Sequence, residues 1–289
     1  MGSPFLRRDE SEGAEESSRG AYGLRLRGVG ASSLLMEARS DWPELTISQA
    51  VGDGSIRQER VSADRAELQL RAGGRLDIDR VESSALYTVP RVLRDEEIIH
   101  PYLAPAAAIV QRWHGRESLH AGAFLAGAGA WALLGERESG KSSTLAYLSK
   151  AGHEIVTDDM LIFDGQGVFF GPRSVDLRRE AADHLGTGAA SIGMTGARER
   201  WRLDVAGGST TPVPLIGCVF LEWADRLELV RLSGSERLER LFAHRGVRLP
   251  PTDPTALLGV AALDGFELRR PSGWDSLDDA MELLLDRIG

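Results

Sequence analysis

Gly135-Glu136-Arg137-Glu138-Ser139-Gly140-Lys141-Ser142-Ser143 begins with the form G-x-x-x-x-G-K-S and follows the apolar run Ala130 to Leu134. An apolar strand, a glycine-flanked loop and a helix start, in that order, make a phosphate-binding loop. The glycines let backbone N–H groups converge on a polyphosphate, and the positive end of the next helix adds to their pull. On this reading residues 135–143 hold ATP or GTP. Lys141 brings a point charge to the β- and γ-phosphates, and the Ser142 hydroxyl is placed to ligate Mg²⁺. Lysine occurs only at positions 141 and 150 among 34 basic residues, yet the loop position carries it.

A second cluster follows in Ile155-Val156-Thr157-Asp158-Asp159-Met160-Leu161. Two adjacent carboxylates inside a regular strand would point to opposite faces, one of them into the core. They are tolerable where the strand ends or bends beside a phosphate site. There one of them holds Mg²⁺ and the other takes the proton of the attacking group. Arg173 and Arg178 could neutralise transferred phosphoryl charge or form surface ion pairs. His120 returns toward the phosphate end only if its strand and the strand before the loop pair antiparallel; taken alone it reads as structural, and His100 and His114 read as surface or capping residues.

The elements that must position these groups fall into four stretches. Residues 1–20 lack periodic apolar positions and read as a disordered tail. Residues 21–92 carry short alternating runs, such as Arg75 to Asp79 and Ala85 to Val89, that suit a small antiparallel sheet, with Gly73-Gly74 as a hairpin signal. Residues 93–117 are a linking helix, with Ile98, Ile99, Leu103, Ala106, Ile109, Val110 and Trp113 at helical spacing. Residues 118–289 form the nucleotide-binding domain. Within them the Gly/Ala/Ser-rich segment 185–200 reads as a mobile loop able to close over substrate. Cys218, the one cysteine, lies in an apolar run and reads as a small buried hydrophobe.

Charge and hydropathy limit the partners. A net charge of -9 with no Lys/Arg block argues against nucleic acid. The sequence has neither an 18-residue apolar stretch nor a signal-peptide core, which implies no membrane span and a cytoplasmic location.

The spacing of His120, Lys141 and the Asp158-Asp159 pair, with His120 standing 21 residues before Lys141 and Asp159 18 after it, resembles the catalytic domain of the HPr kinase/phosphorylase family. Gly152-His153 and Val156-Thr157-Asp158-Asp159 are also similar to that family's Gly-His and Val-Ala-Asp-Asp. The resemblance covers Ser118 to Arg178. It implies a mixed α/β fold, α+β in layout: a phosphoenolpyruvate-carboxykinase-like P-loop domain behind the small β-rich one. It further implies Mg-ATP-dependent transfer of the γ-phosphoryl group to a serine-type hydroxyl of a protein or peptide, and a homo-oligomer. By the same resemblance Asp159 is the general base, Asp158 assists the metal site, and His120 and Lys141 are active-site residues. Asp176, in Asp176-Leu177-Arg178, stands for the family's metal-binding Glu-Ile-Arg, and Arg200 or Arg202 for its later arginine. Glu138 stands where the family usually has glycine, and the family's long Gly-rich phosphorylase signature is absent.

Two other readings stay open at this level. Leu232-Ser233-Gly234-Ser235-Glu236 looks like the transporter-ATPase signature, which would make the chain a P-loop ATPase; a non-catalytic nucleotide- or peptide-binding module is the other.

Overall fold

A computed structural model describes residues 18–70, 73–195 and 198–289. The tail expected over residues 1–20 lies outside the described residues up to residue 17, and its last residues are corrected, since Arg19 and Gly20 belong to a strand. The architecture is mixed α/β, with four sheets among the described residues.

The N-terminal part is an eight-stranded sheet of β1 (Arg19–Ala21), β2 (Leu24–Arg27), β3 (Met36–Glu37), β4 (Glu44–Val51), β5 (Arg60–Val61), β6 (Arg65–Gln69), β7 (Arg75–Asp79) and β8 (Ser84–Val89), in the order β3-β1-β2-β4-β8-β7-β6-β5. Alternation works as expected in β7 and β8, where Leu76, Ile78, Ala85, Tyr87 and Val89 are buried. The glycine pair sits in the β6–β7 hairpin, Gly73 at φ 84° and Gly74 at φ 109°. The expected all-antiparallel pairing is corrected, because β4 runs parallel to both β2 and β8. Its connections are longer than hairpins and therefore do not dictate strand direction.

The linking helix is also corrected, into α1 (Asp95–Glu97), a wide turn at Ile98–Tyr102 and α2 (Leu103–Trp113). His100 is extended there, at φ -148° and ψ 121°. Pro101 follows it, and a residue before proline is sterically driven out of the helical region.

Next come β9 (Glu117–Leu119), β10 (Gly122–Ala126), β11 (Gly129–Leu134), α3 (Lys141–Lys150), β12 (Ile155–Thr157), β13 (Leu161–Phe163), β14 (Val168–Phe169) and β15 (Ser174–Leu177). They are followed by α4 (Arg179–Leu185), β16 (Ala190–Thr195), β17 (Arg198–Asp204), β18 (Leu215–Trp223), β19 (Glu228–Arg231), α5 (Gly234–Ala243), α6 (Pro254–Ala262), β20 (Asp264–Arg270) and α7 (Leu277–Ile288). The central sheet has the order β12-β10-β11-β18-β20-β19. β11, β18 and β20 are parallel, and β12, antiparallel to β10, points the same way as β11. The C-terminal ends of these four strands thus share one edge. β11 is buried at all six residues, and α3 and α7 place Leu145, Leu148, Met281 and Leu284 in the same apolar cluster as its Trp131 and Leu133.

Within the loop expected over 185–200, residues 190–195 and 198–200 are instead strand, in the antiparallel pair β16–β17, with β17 also paired to β15. Its glycines disguised a strand that has a neighbour to bond. α6 opens at Pro254, the first helical position, and is capped by Asp253. Ser233 and Glu236 form a reciprocal capping box at the start of α5, which accounts for the residue types in Leu232 to Glu236. Cys218 is buried, as expected of a small hydrophobe.

Candidate functional site

The segment 135–140 leaves the buried end of β11 and enters α3. Gly140, at φ 91°, precedes the helix and accepts the Thr144 N–H at 2.9 Å. The Lys141 ammonium turns back and donates to the carbonyls of Gly135 (2.7 Å) and Glu136 (3.1 Å). Burial lowers its pKa, while Asp159, Asp158 and Glu136 pull the other way. The N–H groups of the first turn of α3 have no intrahelical acceptor, as at any helix start.

Glu138 occupies the left-handed region, at φ 72°. A glycine is the natural occupant there, because a Cβ crowds the backbone. The Glu138 carboxylate reaches Arg178 at 2.7 Å and Arg198 at 2.9 Å. The hydrogen bond from Arg198, then that from Arg178, lowers its pKa.

The acidic pair sits where β12 stops. Thr157 donates its hydroxyl to the Met160 carbonyl at 2.8 Å, and Asp159 adopts a positive φ of 66°, so the chain bends and the two carboxylates need not face opposite ways. Asp158 is 2% exposed. Both of its oxygens lie 3.2 Å from the Ser142 hydroxyl, which donates to them, and the Asp159 N–H donates to Oδ1 at 3.0 Å. Burial, then the neighbouring Asp159 and Asp176, raise the Asp158 pKa well above the ordinary value.

His100 is the residue that sequence reasoning misplaced. It is 1% exposed rather than at the surface, and one ring nitrogen lies with one oxygen each of Asp158 and Asp159, all within 4.8 Å of one another. Its Nε2 has no hydrogen-bond partner among the described residues and stands 3.7 Å from Asp176 Oδ2. The available signal was local: Pro101 takes His100 out of the helical stripe. No spacing rule linked it to residues 58 positions later, at Asp158.

Asp176 adjoins this cluster, its N–H donating to Asp158 Oδ2 at 3.4 Å. Its carboxylate is gripped in a buried fork by Arg202, Nε to Oδ1 at 2.8 Å and Nη2 to Oδ2 at 3.0 Å. Arg202 also donates to the His100 carbonyl at 2.8 Å, so β15, β17 and the 98–102 turn meet at one guanidinium. His120 lies just before β10, which does pair antiparallel with β11, Gly122 opposite Leu133. That register puts His120 at the loop end of β11. Its own N–H bonds the His244 carbonyl at 2.7 Å.

An imidazole nitrogen left unpartnered in the interior, two carboxylates and a serine hydroxyl form a donor set suited to a small divalent cation. His100, Asp158, Asp159 and Ser142 could hold it. Asp176 is beside the set, but both its oxygens are engaged by Arg202.

No protein-family model matches the chain, and no curated protein sequence matches it. Among solved structures the chain is similar to the HPr(Ser) kinase/phosphatase of Coxiella burnetii, with 14% identity over 59% of this chain and 95% of that one and a TM-score of 0.25.

Proposed function

We propose that the protein is a Mg-ATP-dependent kinase that transfers the γ-phosphoryl group to a serine-type hydroxyl of a protein or peptide. The observation that carries this is the meeting, at one sheet edge, of the Lys141–Ser142 helix start with the Asp158–Asp159 bend. A nucleotide seated on the loop presents its terminal phosphate to a carboxylate pair, which is what in-line transfer to a hydroxyl needs. The motif resemblance stated above points the same way.

In this reading the α3 N-terminus and Lys141 bind the phosphates, and Lys141 exchanges its carbonyl partners for phosphate oxygens. Asp159, less buried than Asp158, accepts the proton of the incoming hydroxyl. Ser142, Asp158 and His100 would hold Mg²⁺, whose contribution when bound is to offset the negative charge on the phosphates. His120, at the loop end of β11, belongs to the same edge, and Arg178 and Arg198 reach the loop at Glu138, whose carboxylate engages both.

The test is incubation with γ-labelled ATP, Mg²⁺ and candidate acceptors encoded nearby, comparing wild type with Lys141→Ala and Asp159→Asn. Label on a serine-bearing acceptor, lost in both variants, is expected. Full transfer by Asp159→Asn would remove the base assignment. Free phosphate without an acceptor would indicate an ATPase, and binding with neither product a module.

A further inference from the structure

A nucleotide with its terminal phosphate at Asp158 and Asp159 must extend its other end across the loop. Those carboxylates follow β12, on one side of β11, so the nucleoside end faces the other side, where β18 and β20 end. Trp223 and Arg270, the last residues of these strands, are register partners.

Arg270 is unusual for a guanidinium. It is 3% exposed, and among the described residues it forms no ion pair; its Nε has no hydrogen-bond partner, and Nη1 donates only to the Gly273 carbonyl at 3.4 Å. Burial lowers its pKa to about 10, which leaves it charged at neutral pH. A desolvated cation without a counter-charge is costly unless an anion meets it. Its position says which anion. A Cβ placed on Gly140 would stand 2.7 Å from Arg270 Nη2 and 3.4 Å from the Trp223 ring, so glycine at 140 is what lets the guanidinium lie against the phosphate loop.

Trp223 holds the same place from outside. Its ring lies under Arg270, 4.2 Å from the guanidinium carbon to the ring centroid, and its Nε1 donates to the Glu138 carbonyl at 3.1 Å. The indole is nevertheless 39% exposed. Just past Arg270 opens a cavity of about 350 Å³ lined by Leu227, Pro271, Ser272, Gly273 and Asp275.

We propose that Arg270 and Trp223 form the nucleoside end of the site, Arg270 neutralising an inner phosphate of the nucleotide and Trp223 receiving the base beside the cavity. This rests on the phosphate-loop reading above and adds to it the residues that hold the rest of the ligand.

Calorimetric titration of the full-length protein with ADP and, separately, inorganic pyrophosphate, both in Mg²⁺, separates the two roles. Trp223→Ala should weaken ADP about tenfold or more, since base–aromatic stacking is lost, and leave pyrophosphate unchanged. Arg270→Gln should weaken both about tenfold or more, as loss of a charge-assisted bond does, and Arg270→Lys should restore part of it. ADP should also change the tryptophan emission of wild type but not of Trp223→Phe. If wild type binds ADP and the Trp223 and Arg270 variants bind it equally well, this proposal is overturned while the kinase reading stands. If Arg270→Gln fails to fold, the Trp223→Ala comparison decides: equal losses for ADP and pyrophosphate would mean a merely structural indole. If wild type binds neither ligand, the phosphate-loop reading itself fails.

Discussion

At Glu138 an acidic side chain sits in a backbone conformation made for glycine, with two arginines turned toward it. In the proposed kinase the carboxylate opposes nucleotide phosphates, and it occupies Arg178 and Arg198, which could otherwise face them. Glu138→Gly should therefore raise ATP affinity, by about fivefold for removal of one exposed charge at close range. Calorimetry at low salt measures it, and unchanged or weaker binding would show that the pairing serves the nucleotide. Asp158 presents the opposite case of a residue buried among like charges. Sites of this kind trade stability for function. Asp158→Asn should raise the melting temperature by about 3 °C without divalent cation. Mg²⁺ or Mn²⁺ should raise that of wild type by mass action and leave the variant unmoved, as differential scanning fluorimetry will report.

At the scale of elements, short pieces are held by charged clasps rather than by length. α1 has three residues, far too few to persist unaided, and Glu97 fixes it: its carboxylate takes Arg91, the Arg94 backbone N–H and the Arg94 side chain. Burial would raise the Glu97 pKa, but the Arg91 hydrogen bond and then those from Arg94 outweigh it and bring it from 4.5 to about 2. A depressed carboxylate stabilises the fold above its unfolded pKa and loses that contribution as pH falls through the folded one. Wild type should thus lose urea-unfolding midpoint between pH 4.5 and about 2 more steeply than Glu97→Gln. Arg202 is the second clasp. Arg202→Met strands a buried carboxylate at Asp176 and should cost about 3–5 kcal/mol, while Arg202→Met with Asp176→Leu should recover most of it, both read from urea unfolding.

At the scale of the molecule, the N-terminal sheet and the site share a core. Met160, Ile162 and Phe169 belong to the same apolar cluster as Leu45, Leu76, Tyr87 and Leu103. Arg173 donates its N–H to the Leu34 carbonyl and its Nη2 to that of Leu35, both within 2.8 Å, and Arg116 covers the Phe169 ring. A fragment of residues 118–289 should accordingly fail to fold cooperatively, because it exposes the face that residues 18–117 cover. Amide dispersion in its NMR spectrum is the check, and native-like dispersion would mean an independent domain. No helix among the described residues is long and apolar enough to cross a membrane.

The order of strand, loop and helix at Ala130 to Lys150 and the hairpin at Gly73-Gly74 were legible because each is written in contiguous residues: periodicity, glycine placement and a motif of fixed spacing. So was the bend at Asp158-Asp159, since a regular strand could not accommodate both. The sequence by itself thus determined the strand-loop-helix order around Gly135 to Lys141 and where the chain must turn at the carboxylate pair. Tertiary structure alone decided that His100 comes to the carboxylates, that Arg202 closes on Asp176, that β4 pairs in parallel and that Arg270 lies against Gly140. Each of these joins residues distant in sequence through burial and register, and burial is a property of what packs around a residue rather than of the residue itself.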